Sequence, residues 1–308
     1  MQLAHAQAVY AFQRPSWVRA VAAVRRRPHD FVVVEARTPE PVYLFGAIHR
    51  RAGVPVFESM PMAGYGSWVG GGRVLPDDRA VSLTREWVRR VNFAALDVTS
   101  PPNCSFAVPG PSCLGKVSDF QTHLLTLGDD ATMLSRMQPR FRAYMRKMES
   151  SGYTFEFGDA SRLPEFMHWY LAGSDNWQQE AATLMPMDFF AALLTGGDGK
   201  LLFTKHLGTP VGAALFLVGR REVQYQASGI VRTAAGISPM EAMLWHAARC
   251  FRDQGMEAIN LGASAGLDSV RRFKEKFGAQ SVAYRRFRCL LPQLQGLVFA
   301  SPVFYRLP

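Results

Sequence analysis

Lys274 stands in the run GLDSVRRFKEKFGA, residues 266–279. The run reads as a short helix: Asp268 or Ser269 can accept from the free N–H groups at its start, and Gly278 suits the left-handed residue that ends it. Val270, Phe273 and Phe277 recur at helical spacing and make one apolar face. Lys274 follows Phe273 by about 100° of turn, which puts it at the border of that face. Arg271, Arg272 and Lys276 read as solvated, with Glu275 in reach of Arg271 or Arg272. The helix is therefore either a soluble surface element or the carrier of one working lysine, Lys274.

A second group of residues suits anions. In GISPMEAML, residues 236–244, Ser238 is placed as N-cap, Pro239 as first helical residue and Glu241 as third, a capping box. Gly236 lets a backbone approach a ligand there, and a helix N-terminus behind small residues receives pyrophosphate or carboxylate groups. Most capped helices nevertheless bind nothing. Arg136, Arg140, Arg142, Arg146 and Lys147 lie opposite an apolar stripe of Leu134, Met137, Phe141, Met145 and Met148. That basic face either follows a phosphate backbone or simply keeps an amphipathic helix soluble. Pro139 must kink this helix or begin a new one. Nucleophile elbow, HExxH, Walker and GxGxxG patterns are absent from their required contexts. The histidines at 5, 29, 49, 123, 168, 206 and 246 are isolated from one another in sequence, so no metal site is expected.

The elements that must position these residues fall into two series. FVVVEAR (31–37) and VYLFGAIH (42–49) read as a hairpin about a Thr-Pro-Glu-Pro turn. Residues 55–72 are too glycine-rich for a simple strand or helix; a helix over Asp77–Val91 and a strand over 92–99 follow. The proline- and glycine-rich stretch 100–115 is the best linker, dividing the chain into domains 1–118 and 119–308. The second series runs strand (120–127), basic helix, strand (153–159), helices near 161–172 and 186–195, and strand-like runs at 200–207, 210–219 and 222–231. Helix 239–254, strand 257–263, the Lys274 helix and strand 281–290 complete it. This order describes a mixed α+β sheet with its site near the centre.

Composition sets the bounds. The 308 residues are 48% hydrophobic and 19% charged, enough for one large or two ordinary globular domains. There is no apolar run of membrane-spanning length, and no signal peptide is evident. Cys104, Cys113, Cys250 and Cys289 lack metal or disulfide-framework spacing, which suits free thiols in a reducing cytoplasm. A formal charge of +10 favours a polyanionic partner: nucleic acid, a nucleotide-bearing substrate, a phosphopantetheine carrier or an anionic membrane surface.

Three segments together resemble the tandem GNAT-fold acyltransferases of the FemAB type and their acetyltransferase relatives. They are TMLSRMQPRFRAYMRKMESSGYTFEF, SGIVRTAAGISPMEAMLWHAARCFRDQGMEAINLG and LDSVRRFKEKFGAQSVAYRR, with MPMAGYGSWVG similar to the family's acceptor-groove segment. The resemblance covers roughly residues 30–290. It implies two GNAT-like domains of α+β class and amide or ester formation from an activated acyl donor. Aminoacyl-tRNA is the first donor and acyl-CoA or an acyl carrier protein the alternative; the acceptor is a muropeptide or small amine. Carried over, Phe273 and Lys274 become the catalytic pair, with the ammonium stabilising the oxyanion. Tyr65, Gly66, Arg142 and Tyr225 would face the acceptor, and Gly236, Ser238, Arg140 and Arg146 the donor. The chain departs from the family in lacking a coiled-coil arm, and RTAAGIS (232–238) only approximates a pyrophosphate loop. From another class, a non-catalytic RNA- or membrane-associated module would use the apolar tail, residues 290–308, as a peripheral membrane contact.

Overall fold

The computed structural model describes residues 8–36, 38–51, 53–62, 64–88, 95–102, 104, 114–174, 184–231 and 238–290. The chain divides into two compact units, Met1–Phe120 with Ala283–Pro308, and Gln121–Val282.

The first unit opens with α1 (Pro15–Arg25), an element that the sequence pattern does not announce. Proline at its first turn loses no helical hydrogen bond, and Trp17, Val18 and Val21 bury its inner side. β1 (Asp30–Ala36) and β2 (Val42–Arg51) form the expected antiparallel hairpin. β3 (Val54–Ser59) and β4 (Trp68–Gly70) both pair antiparallel with β2, and β5 (Arg73–Val74) extends β4. The glycine-rich stretch 55–72 thus holds strands after all. Its glycines serve close packing: a Cβ on Gly66 would come within 2.6 Å of the Ser59 Cβ. α2 (Asp77–Val88) begins on two acids and ends beside Arg85, in accord with the macrodipole. β6 (Ala95–Thr99) then runs parallel to β3. Val42, Leu44, Phe57, Trp68, Leu96 and Val98 form the apolar core on one face of this sheet.

β7 (Leu114–Thr126) leads into the second unit. The basic helix is in fact two, α3 (Asp130–Arg136) and α4 (Pro139–Met145), because Pro139 takes the first position of a new helix. β8 (Tyr153–Gly158), α5 (Leu163–Ser174) and α6 (Met187–Thr195) precede the meander β9 (Gly199–His206), β10 (Thr209–Val218) and β11 (Glu222–Ile230). α7 (Pro239–Asp253), β12 (Ala258–Asn260), α8 (Asp268–Lys276) and β13 (Gln280–Leu290) close the described chain. The unit's strand order is β7-β12-β11-β10-β9-β8, antiparallel except for β11 with β12. Its core joins the sheet to α4, α7 and Phe277 through Met145, Leu244, Phe251 and Ile259. β13 pairs with β6, so residues from Ala283 onward belong with the first unit, whereas the division expected from the linker puts them in the second.

Candidate functional site

β11 and β12 run together only briefly. They pair over Glu222–Gln224 and Ala258–Asn260; β12 then ends while β11 continues to Ile230. Opposite β10, the register of β11 shifts between Ala227 and Tyr225, leaving Gln226 as the extra residue of a bulge. Among the described residues no strand covers the β12-side edge of β11 beyond Gln224. A parting pair of parallel strands leaves a strand edge of the kind an extended ligand can pair with.

Asn260 is what ends β12. It is 0% exposed; its Oδ1 accepts from Thr122 Oγ1 at 2.6 Å and from the Gly262 N–H at 2.9 Å, and its Nδ2 donates to Glu222 Oε1 at 3.1 Å. Gly262 then turns with φ +75°, a conformation glycine takes without strain. The turned carbonyl of Gly262 accepts from Lys274 Nζ at 2.9 Å, and that of Ala263 accepts from the same Nζ at 2.7 Å. Lys274 is only 5% exposed, and burial pushes its ammonium down to about 8. An ammonium carries three N–H donors. Two are held by carbonyls just past the parting of the strands, and among the described residues the third donates to no further group.

Several residues around Lys274 were not singled out by sequence. His123 is buried on β7, its Nδ1 lies 3.4 Å from Ser264 Oγ, and its backbone N–H shares the Gly262 carbonyl at 3.2 Å. Burial, then the charge on Lys274, hold its imidazole below the usual histidine range. Burial pushes the Glu222 carboxyl up to about 7, opposed by the hydrogen bond from Asn260. Gln224 Nε2 donates to the Tyr225 carbonyl at 2.9 Å. The available signal was the motif Asn-Leu-Gly directly after a strand, since asparagine and glycine so placed end a strand and turn the chain.

The residues named from sequence separate into groups. Phe273 is partly buried with its ring 5.5 Å from Phe277, as the helical spacing requires. The N-cap of α8 is Leu267, with no side-chain hydrogen bond; Asp268 pairs instead with Arg271 at 2.9 Å. Lys276 is not solvated as expected: it pairs with Glu241 and stands 4.9 Å from the Phe273 ring centre. Glu241 also accepts from the Ser238 N–H at 3.2 Å, so a carboxylate already occupies the N-terminus of α7. Gly236 lies outside the described residues. Tyr225 donates to or accepts from Ser228 Oγ at 2.5 Å, and burial pushes its phenol up to about 12. With Tyr170, Phe190 and Ser228 it lines an open cavity of about 350 Å³ beside the bulge. Arg140 and Arg146 are exposed, while Arg142 donates to the carbonyls of Ser135 and Met137 and ties α3 to α4. Tyr65 and Gly66 belong to the first unit. Tyr65 is buried with ring centres 5.3–5.5 Å from Tyr10, Phe12 and Tyr284, and the Gly66 N–H donates to Thr99 O at 2.8 Å.

The acetyltransferase (GNAT) domain family matches residues 135–275, which contain β8–β12, the bulge and Lys274. A comparison with curated proteins gives no match. Among solved structures the chain is similar to FemX, at 12% identity and TM-score 0.66 over 96% of this chain and 98% of that one. It is also similar to the C-terminal domain of a putative lysylphosphatidylglycerol synthetase from Agrobacterium fabrum, at 14% identity and TM-score 0.53 over 94% and 96%. L-PGS from Bacillus licheniformis follows at 12% identity and TM-score 0.51 over 91% and 92%. At such identities the likeness is one of fold. Residues 135–275 thus match the acetyltransferase (GNAT) domain family, and the α+β chain that carries them has the fold of FemX.

Proposed function

We propose that the protein is an N-acyltransferase that joins an acyl group from aminoacyl-tRNA to an amine on a cell-wall precursor or a small specialised metabolite. The observation that carries this reading is the buried Lys274 ammonium, fixed by Gly262 and Ala263 where β11 and β12 part. A neutral amine attacks the acyl carbonyl, a C–N bond forms, and the ester C–O bond to the donor's ribose breaks. The amine proton leaves with the ribose oxygen. Lys274 meets the negative charge that develops on the carbonyl oxygen, and a preorganised charge in a dry site is a large catalytic contribution. Orientation of the two substrates supplies the rest, with no covalent enzyme intermediate. FemX and L-PGS share the fold, and exposed Arg140, Arg146 and Lys147 give the second unit a basic face suited to RNA phosphates. A tRNA donor places the reaction in the cytoplasm.

One observation favours a second donor. The matched family is described as an acetyltransferase, and the open edge of β11 suits the amide-bearing arm of an acyl thioester. A donor screen decides: charged tRNA against acyl-CoA, with hydroxylamine and muropeptides as acceptors. Arg140→Glu with Arg146→Glu is expected to weaken tRNA binding and to lower its salt slope by about one for each phosphate no longer neutralised. Unchanged binding and label transfer from acyl-CoA alone would exclude tRNA. Transfer from neither donor to any amine would instead leave the reading of a non-catalytic, basic RNA- or membrane-associated module.

A further inference from the structure

One face of the first unit's sheet is apolar, and the other is charged. His49 and Arg51 alternate onto the same side of β2, and the register sets Ala47 against Glu58, Glu58 against Asp97, and Asp97 against Arg288. Glu58 and Asp97 are each 8% exposed. Asp97 is fully engaged by Arg286 and Arg288, at 2.5–2.9 Å. Glu58 pairs with Arg25 from the end of α1 at 2.5 Å. His29 Nδ1 lies 2.9 Å from the Arg27 carbonyl, and its ring is 4.9 Å from that of His49. Two carboxylates therefore face Arg25, Arg27, Arg51, Arg286 and Arg288, and the surplus positive charge gathers at His49. There, Arg27 Nε and His49 Nδ1 are buried with no hydrogen-bond partner among the described residues. Leaving such groups unpaired is costly, which marks a place where something else belongs.

We propose that this cluster binds a phosphate-type oxyanion, held by Arg27 and His49 with His29 and Arg51 at its margin. The sequence offered His29 and His49 only as isolated histidines; the fold brings them together with Glu58, their ligand atoms within 4.8 Å of one another. That spacing also suits a divalent cation, and charge decides against it. Arg25 already stands between Glu58 and His29, its guanidinium 3.3 Å from His29 Nε2, so a cation fills that place. Burial first, then Arg27, His29, Arg25 and Arg51, push the His49 imidazole down to about 3, and burial with Arg25 lowers Arg27. The positive field of these arginines repels a dication and attracts an anion. Glu58 on β3 is the carboxylate that reaches His49 and His29, beside Arg25, Arg27 and Arg51, and Asp97 on the same face is taken up by Arg286 and Arg288. A bound dianion offsets the arginines and favours protonation of both imidazoles, so binding takes up protons. The site stands whether or not acyl transfer is the activity.

Calorimetric titration of the full chain with inorganic pyrophosphate tests it, one ion per chain being expected. Arg27→Met and His49→Gln should each weaken binding by about tenfold or more, the usual worth of a charge-assisted hydrogen bond. Melting temperatures without ligand establish that both variants fold; should His49→Gln not fold, Arg27→Met at a half-buried position carries the test alone. Sulfate, a dianion throughout, should bind more tightly at pH 6 than at pH 8. Uridine diphosphate and phosphatidylglycerol vesicles then distinguish a nucleotide-borne from a lipid-borne phosphate, and binding of either upholds the site. No binding at millimolar pyrophosphate, affinity unchanged in the folded variants, or stoichiometric zinc binding without pyrophosphate binding would overturn it.

Discussion

Lys274 shows how one side chain can carry opposing pH trends. Its carbonyl partners fix the ammonium, while burial pushes it down to about 8 from an ordinary 10.5. Only the charged form can stabilise an oxyanion, so acyl transfer is expected to decline as pH rises through about 8. Stability moves the other way. Above that pH the folded lysine has released its proton while the unfolded one keeps it to about 10.5, so the Lys274 contribution to stability rises across that window. Lys274→Ala should fold and lose about 10²-fold in turnover, the usual loss for one oxyanion donor. Lys274→Arg, whose guanidinium stays charged, should move the alkaline limb of the rate profile upward even if its rate is lower. A limb that stays near pH 8 in Lys274→Arg would assign that titration to another group. Asn260 acts through this lysine. Its amide holds Glu222, Thr122 and the Gly262 N–H, so Asn260→Ala leaves several buried groups unpaired and should cost about 2 kcal/mol or more in urea unfolding.

Elements explain which parts of this arrangement the sequence made legible. Alternation and turn chemistry reveal the β1–β2 hairpin and the meander β9–β11, and helical spacing reveals α8 with Lys274 at the border of its apolar face. The capping box of α7 is equally local, since Ser238 and Glu241 are three residues apart. Asn260 is not readable, because its partners Thr122 and Glu222 lie 138 and 38 residues away. β3 and β4 are obscured by glycines whose purpose is close approach, and α1 by the lack of any acidic first turn. The same close approach makes a prediction at α5. This helix lies on β11 beside the bulge, and a Cβ added to Gly229 would fall 1.7 Å from the Trp169 carbonyl oxygen. That atom is helix backbone and cannot swing aside, so Gly229→Ala must push α5 off the strand. Overpacking of this kind costs about 1–3 kcal/mol, and it should also disturb the cavity lined by Tyr170 and Ser228. Urea unfolding checks the first effect, and KM for the acceptor, which Tyr225 of that cavity would face, the second; an unchanged urea midpoint would show that α5 yields freely.

For the molecule as a whole, chain order and compact units do not coincide. The chain passes from the first unit to the second after Phe120 and returns after Val282, so the first unit is assembled from both ends of the sequence. What returns is structural. Residues 286–290 of β13 hydrogen-bond to 99–95 of β6, and Phe287, 1% exposed, completes the core of Leu96 and Val98. Arg286 and Arg288 neutralise Asp97, which is buried on the opposite face. A chain ended at Val282 forfeits the strand pairing, the phenylalanine and the arginines together. An unpaired buried carboxylate costs about 3–5 kcal/mol, and loss of a buried phenylalanine about as much again. Together they approach or exceed the about 5–15 kcal/mol that holds an ordinary domain folded. The first unit of the truncated chain is therefore expected to unfold, with the β2 and β3 amides losing hydrogen-exchange protection. Amides of β9 and β10, whose partners all lie within Gln121–Val282, should keep theirs. If β2 and β3 remain as protected in the truncated chain as in the whole one, the returning strand is an ornament of the first unit and its core closes without it.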